Sequence, residues 1–462
     1  MQRLVLILFL LGSLFGFSQT NDTVLTLEEY LGYVKKYHPI VKQAQLITTE
    51  SEIKLLKSRG AFDPKLEVDY NRKKFKETEY YDKLNAAFKI PTWYGIELKA
   101  NYENNDGTYL NPEYTTPEDG LYSAGISIAL AKDLFINKRM ATLKQAKLFT
   151  MQAQANQQLV INDILYNAVT TYFDWLKNYQ SKLVYEDYLV NAETRLSNVK
   201  KTFFAGDKPA IDTLEASINL KSRLLDLEKA KIGYVKSTLE LSNYLWLENN
   251  LPLELEETIS PDITTIDKID LIFNSSLLNS TEDLIANHPK LQEFQIKKKI
   301  LTIDKRLMVN NLLPKIDLQY NFLTTNYNNI SSFNTANYKS GLNISFPLFL
   351  RKERADLKLA KLKLQDIDFD ISATKVSLKN KIESLFQEIE SYATQYNILL
   401  DLVKDYKQLV NSEERMFTLG EGSLFLVNYR EVKLIESQLK SIDTEYQLFI
   451  SKSNLLRVLN TL

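Results

Sequence analysis

Only two histidines occur in this chain, His38 and His288, and each is followed by a proline, Pro39 and Pro289. A histidine can act as a general base or a metal ligand. Either task needs company: further ligands for the metal, or an oriented partner for the base. No such residue recurs beside both histidines, and the chain has no cysteine. Proline loses nothing by lacking an N–H in the first turn of a helix. Each His-Pro pair therefore reads as a helix start with the histidine at the cap. The absence of cysteine argues against disulfides and against a lipobox anchor. There is also no glycine-rich phosphate loop and no nucleophile elbow. The reading is a protein that does no covalent chemistry and needs no cofactor or metal.

The His-Pro pairs are more informative as landmarks. They lie 250 positions apart, and the same offset joins Pro64-Lys65 to Pro314-Lys315 and the "LEVDYN" ending at Asn71 to the "IDLQYN" ending at Asn321. A register held through a helix-like and then a strand-like stretch marks an internal duplication. Further on, Gly125 matches Gly341 at an offset of 216, and Gly206 matches Gly420 at 214. The first half thus carries 34 extra residues between its Pro-Lys pair and its glycine-led strand. Each half runs helix, strand, strand, long helix, glycine turn, helix.

The 462 residues carry 57 basic and 58 acidic side chains, for a net charge of −1, which leaves no footprint for nucleic acid. Arg3, the apolar run "LVLILFLLGSLFGF" and the small residues Gly16 and Ser18 predict a signal peptide over residues 1–18. No later stretch is long and apolar enough to span a membrane as a helix, so any insertion must use strands.

The long helices are predicted by what is missing. Neither glycine nor proline occurs between Gly125 and Gly206, or between Pro347 and Gly420. Each gap accommodates one helix of about 65 residues, roughly 100 Å at 1.5 Å per residue. Ile367, Ile371, Leu378, Ile382, Leu385, Ile389, Tyr392, Tyr396, Leu399, Val403, Tyr406 and Val410 follow spacings of 3, 4 or 7, a coiled-coil seam. The first half repeats the design with Leu159, Ala168, Leu176 and Leu183. The expected layout is a first repeat over 19–250, with strands in 64–131, a long helix 138–205 and a return helix 210–248. A linker over 251–280 follows. The second repeat, 281–462, has strands in 314–347, a long helix 351–419 and a return helix 424–460.

The strands alternate. Leu66, Val68 and Tyr70 interleave with Glu67, Asp69 and Asn71, and Ile316, Leu318, Tyr320 and Phe322 with Asp317, Gln319 and Asn321. Such a pattern suits a soluble sheet with one buried face, or a membrane barrel with an apolar lipid face and a polar lumen. The predicted signal peptide and the lack of another domain-sized core favour the barrel. The 34 extra residues hold two more alternating runs around a "PTWYG" turn, an extra hairpin over 80–104 whose Trp93 and Tyr94 suit a membrane interface. Four to six strands cannot close a barrel in lipid, so several chains must contribute, most simply with cyclic symmetry.

Taken together, the two half-repeats, the Pro-led strands, the second strands running into "FINKRMATLKQAK" and "FLRKERADLKLAK", and the glycine turns resemble the TolC-like outer-membrane efflux protein family over nearly the whole mature chain. The resemblance implies an α+β membrane protein. In it, a trimeric outer-membrane β-barrel of four strands per subunit continues into a long periplasmic α-helical coiled-coil barrel built from two internal repeats. It implies a homotrimer in the outer membrane of a Gram-negative bacterium. The trimer would serve as the export duct of a tripartite efflux pump or type I secretion system, in contact with outer-membrane lipid. Its partners would be a periplasmic adaptor (membrane fusion) protein and an inner-membrane RND or ABC transporter. The family's entrance is often closed by acidic residues after the glycine turns. Asp212 and Glu215 fit that pattern, whereas the matching second-half positions are Leu426 and Tyr429, so closure is expected to be partly apolar. The helix tips, with Gly206, Asp207, Gly420, Glu421, Leu424 and Phe425, are the expected adaptor-docking surface. The rival reading is a periplasmic coiled-coil adaptor or scaffold that never enters the membrane.

Overall fold

The computed structural model describes residues 24–256, 258–265, 281–326, 328 and 332–462. The predicted signal peptide and the later part of the predicted linker, residues 266–280, lie outside the described residues. Eight α-helices are described: α1 Leu27–Tyr37, α2 Pro39–Arg59, α3 Lys138–Phe204, α4 Ala210–Ser242, α5 Thr281–Ala286, α6 Pro289–Asn310, α7 Arg351–Thr418 and α8 Leu424–Leu459. The strands are β1 Val24–Leu25, β2 Lys65–Phe75, β3 Thr78–Pro91, β4 Ile96–Asp106, β5 Leu121–Ala129, β6 Ser260–Pro261, β7 Lys315–Thr324 and β8 Tyr338–Ser345. The chain divides into two compact units, one of residues 1–43, 160–284 and 378–462, the other of 44–159 and 285–377.

The second unit holds the sheet. Its six strands run β2-β3-β4-β5-β7-β8, and every neighbouring pair is antiparallel. Alternating apolar and polar residues suit a sheet with two different faces, and the turns fix its register. Lys76 and Glu77 both take positive φ, 49° and 59°, as a two-residue hairpin between right-twisted strands requires. Gly95 closes the β3–β4 turn at φ +66°, where an added Cβ would stand 2.4 Å from the Asp133 carbonyl oxygen. Beyond β5 the ladder continues, since the Leu130 N–H donates to the Ile316 carbonyl at 2.7 Å and that of Lys132 to Pro314 at 3.1 Å.

The first unit is helical. Its main core gathers Leu27, Tyr30 and Val34 of α1 with Leu165, Tyr172, Phe173 and Trp175 of α3, Leu241 of α4 and Phe449 of α8. Two of the buried polar tips in this core have partners: the Tyr172 hydroxyl donates to the Leu25 carbonyl at 2.8 Å, and the Trp175 indole N–H to Thr238 at 3.0 Å. Every residue of the α7 seam from Ile367 to Val410 is buried or half-buried. Its later part meets α3 and α8 through Tyr188, Val410, Leu434 and Ile435. On α3, Ala168 and Leu176 are buried, but Leu183 is exposed at 36%. There the inward face has drifted to Val184 and Tyr185, which pack beside Tyr188. Helix α4 ends at Ser242, short of the expected 248, because residues 243–245 turn away through hydrogen bonds from Asn243, Tyr244 and Leu245 to carbonyls three positions back.

Both histidines are caps. Nδ1 of His38 accepts the Ile40 N–H at 3.2 Å, and Nδ1 of His288 accepts the Lys290 N–H at 3.1 Å. Each ring is buried, at 6% exposure, and each satisfies one of the amides that a helix start leaves without a partner.

Candidate functional site

The sheet has one apolar and one polar face. Direct register partners share a face, so Leu66, Phe88, Ala100, Ala124, Phe322 and Tyr338 form one row across all six strands. Ile90, Leu98, Ile126 and Tyr320 form another on the same face. Aromatic pairs punctuate that face: Tyr102 against Tyr122 at 4.7 Å between ring centroids, and Tyr320 stacked on Tyr338 at 5.4 Å. At the β3–β4 turn, Trp93 stacks on Phe62 at 5.5 Å. The opposite face carries the row Lys65, Lys89, Lys99, Gly125, Asn321 and Lys339. Its lysines are largely matched by acids. Lys89 pairs with Glu67, Lys99 with Glu97 at 3.5 Å and Lys339 with Glu103 at 3.8 Å. An apolar face of this extent suits lipid, and the neutralised polar face suits water. Among the described residues, no helix is long and apolar enough to cross a membrane.

The edge strands stand apart. All of β2 and all of β8 are exposed, and each has a partner on one side only. Neither is guarded by an internal proline. Backbone N–H and C=O groups left unpaired along such an edge can pair with another chain.

The two glycine turns are built alike. Gly206 (φ +86°) donates its N–H to the Phe203 carbonyl, and Asp207 donates to Thr202, both at 3.0 Å. Gly420 (φ +83°) donates to Phe417 at 3.2 Å, and Glu421 to Met416 at 2.9 Å. Each is a Schellman cap, which needs a residue at ease in the left-handed region. The second turn then starts α8 at Ser423, whose hydroxyl accepts the Leu426 N–H at 3.2 Å. Around these turns large apolar side chains face outward: Phe204 (83% exposed), Ile211, Leu214, Leu419 and Phe425. Both turns thus expose large apolar side chains. Leu424 is buried with Val199 and Ala216 and holds the two turns together, so it is not free to dock. Phe425 stacks on Tyr429 with centroids 6.4 Å apart, and both are exposed.

Of the entrance candidates, Asp212 lies half-exposed in the first turn of α4. Glu215 is engaged inside the subunit, its carboxylate accepting from the Asn428 amide at 3.1 Å. Leu426 and Tyr429 are exposed. Asn428 leads into a cluster that the sequence reading missed. Glu431, 1% exposed, receives Arg195 on both oxygens, at 2.8 and 3.2 Å, and Arg223 at 3.4 Å. Arg195 also reaches Glu414 at 2.7 Å and Asn428 at 3.3 Å. The buried Glu431 carboxylate thus ties α8 to α3 and α4, and Arg195 extends the link to α7 through Glu414. Burial works to lower the Arg195 pKa, but the bonds and charges of Glu431 and Glu414 raise it above its ordinary value. Burial, and then the Glu431 charge, push Tyr188 up to about 12. A signal was present: Leu424, Val427, Glu431 and Leu434 are spaced 3, 4 and 3, which puts an acid on a core stripe. A second missed feature lies on α4. Ile211, Leu214, Ile218, Leu225, Ile232 and Leu239, spaced 3, 4, 7, 7 and 7, are all between 53% and 70% exposed. This is a coiled-coil seam with no partner in the subunit. Among the described residues no group of three or more His, Asp or Glu could hold a metal.

No family profile matches the sequence, and no curated relative matches it. Solved structures do share the fold. The outer membrane channel CmeC of Campylobacter jejuni superposes with a TM-score of 0.65 at 14% identity, over 94% of this chain and 85% of that one. VceC, an outer membrane protein of Vibrio cholerae, gives 0.65 at 12% identity over 94% and 96%. The open state of the Neisseria gonorrhoeae MtrE outer membrane channel gives 0.65 at 12% identity over 96% and 93%. The chain therefore has the fold of the outer-membrane channels, an α+β architecture of long helices and an antiparallel sheet. At these identities the likeness is one of fold.

Proposed function

We propose that this chain is one subunit of a homotrimeric export duct of a Gram-negative outer membrane, passing small molecules or proteins outward from a tripartite efflux pump or type I secretion system. The observation that carries the reading is the six-stranded sheet with one apolar face, one polar face and two unpaired edges, on a chain with the outer-membrane channel fold. Backbone edges left open in lipid are too costly to persist, so neighbouring copies must close them. The unpartnered α4 seam supports the same conclusion for the helical part, because a second copy would cover it. The apolar side chains around Gly206 and Gly420, with Phe425 foremost, are the surface we assign to a periplasmic adaptor that couples the duct to an RND or ABC transporter. Asp212, Leu426 and Tyr429 are left to line the entrance, while Glu215 helps hold the helices in place.

Fractionation tests the central claim. The protein should stay in outer membranes through a high-salt wash, need detergent for release, and give the mass of three chains in native measurement. Cysteine placed at Phe88 or Leu98 should resist a water-soluble thiol reagent, and at Asn111 should label from outside the cell. A soluble protein released by salt would overturn the duct in favour of the periplasmic scaffold. For docking, Phe425→Asp should abolish export and adaptor crosslinking while trimers still form. Normal export by that variant refutes docking at this tip.

A further inference from the structure

The sheet topology bears on the size of the exit. The 34-residue excess of the first half is the β3–β4 hairpin, and it sits inside the wall. Strand β3 is hydrogen-bonded to β2 from Lys65↔Lys89 to Phe75↔Thr78 and to β4 from Asp82↔Asp106 to Pro91↔Glu97. Strand β4 continues to β5 from Ile96↔Ile128 to Glu103↔Leu121. The hairpin cannot leave the sheet without two ladders being broken and β2 and β5 rejoined. Its faces also continue those of the other four strands. Phe88 and Ala100 extend the apolar row that runs from Leu66 to Tyr338, and Lys89 and Lys99 extend the polar row from Lys65 to Lys339. A hairpin folded into the pore, or lying against an existing wall, would not keep both rows in phase.

The edges favour closure by copies of the same chain. Six strands is an even number, so β2 and β8 run in opposite directions, and β8 of one subunit meets β2 of the next antiparallel, like every other pair in the sheet. Their patterns suit one another. Leu66, Val68 and Tyr70 share the apolar face with Tyr338, Leu342 and Ile344. On the polar face, Glu67 and Asp69 of β2 offer acids to Lys339 of β8.

We infer that the assembled barrel has eighteen strands, six from each of three subunits, with β8 paired to the neighbour's β2. This rests on the trimeric duct reading above. With strands about 4.8 Å apart and tilted about 40°, eighteen strands give a backbone diameter of roughly 36 Å, against roughly 24 Å for the twelve that four strands per subunit would make. The cross-section is about twice as large, so the membrane exit admits bulkier cargo than a four-strand subunit allows. The ion pairs on the polar face leave this wider wall wet without a strong preference for either charge.

The chain has no cysteine, so engineered pairs can test the count directly in trimers extracted from membranes. Cysteines scanned over Leu66, Val68 and Tyr70, each combined with Leu342→Cys or Ile344→Cys, should give covalent dimers and trimers on denaturing gels for at least one combination. Leu66→Cys with Ala124→Cys should give no bond. In the six-stranded arrangement β2 and β5 stand three strand spacings apart, about 14 Å, beyond the ~7 Å reach of a disulfide. A β2–β5 disulfide in an intact trimer would mean that the hairpin has left the wall, and eighteen strands would be wrong while the duct stands. Trimers in which no β2–β8 combination links would likewise overturn the inference. A protein that forms no trimer at all removes the duct reading itself.

Discussion

Glu431→Ala is the substitution whose cost is most directly set by the structure. The carboxylate is almost fully buried and bonds Arg195 at 2.8 and 3.2 Å and Arg223 at 3.4 Å. After truncation Arg195 keeps Glu414 at 2.7 Å, but Arg223, 5% exposed at its side chain, is left with Asp226 at 3.9 Å. Removing one partner of a buried ion pair typically costs about 3–5 kcal/mol, because the remaining charge is uncompensated. Since Arg195 retains one acid, the lower end applies, about 3 kcal/mol. The loss is local to the first turns of α8 and the helices it joins, so amide hydrogen exchange there is the fitting assay. A local opening eased by about 3 kcal/mol exchanges on the order of 100-fold faster. Exchange in the sheet should not change. Replacing the cluster by apolar residues, Glu431→Leu with Arg223→Met and Arg195→Met, should recover most of the protection, since the desolvation of all three charges is removed together. Exchange within twofold of the parent in Glu431→Ala would refute the reasoning, as would a triple variant no better protected than the single one.

Three further outcomes follow from the same structure. Gly420→Val places a β-branched side chain at φ +83° in otherwise open space, so its cost of about 1–2 kcal/mol is backbone strain alone, read as faster exchange around the second turn with α3 and α4 unaffected. Leu225→Asp sets a charge in the middle of the exposed α4 seam; it should leave the isolated subunit folded by circular dichroism and lower the trimer fraction severalfold in native mass measurement, and an unchanged trimer would separate this seam from assembly. His38 is held neutral: burial lowers its pKa, against a bond to the backbone of Asn243, and its ring stacks on Tyr244 at 5.5 Å. Its folded-state pKa therefore lies below the unfolded value of about 6.5. The cap's contribution is full above that value and is lost as pH falls through the folded pKa, when Nδ1 can no longer accept the Ile40 N–H. Thermal melts of His38→Asn should show a shallower loss of stability between about pH 6.5 and 4 than the parent does.

Much of the fold was legible because the duplication reads the same residues twice. Pro64 and Pro314 lead into strands, Pro39 and Pro289 into helices, and Gly206 and Gly420 close the long helices with the same cap, so each element was supported by its counterpart. The alternation of Leu66, Val68 and Tyr70 located a strand but did not say whether its apolar face meets lipid or protein, since both demand the same period. What stayed hidden were relations across long separations. Glu431 stands on a core stripe, yet its partners Arg195 and Arg223 lie more than two hundred positions earlier, on helices whose other charges are solvated. The α4 stripe was hidden for the opposite reason: it repeats as an inward seam does, and only the folded subunit shows that nothing covers it. The β3–β4 insertion has the same logic. Its alternating residues were visible, but whether two more strands join a sheet or hang from it depends on register, and the partners from Lys65↔Lys89 through Lys99↔Gly125 to Asn321↔Lys339 place it within the sheet. Each surface that the single chain leaves open, the two strand edges and the α4 stripe, is one that an identical neighbour would cover in the trimer proposed above.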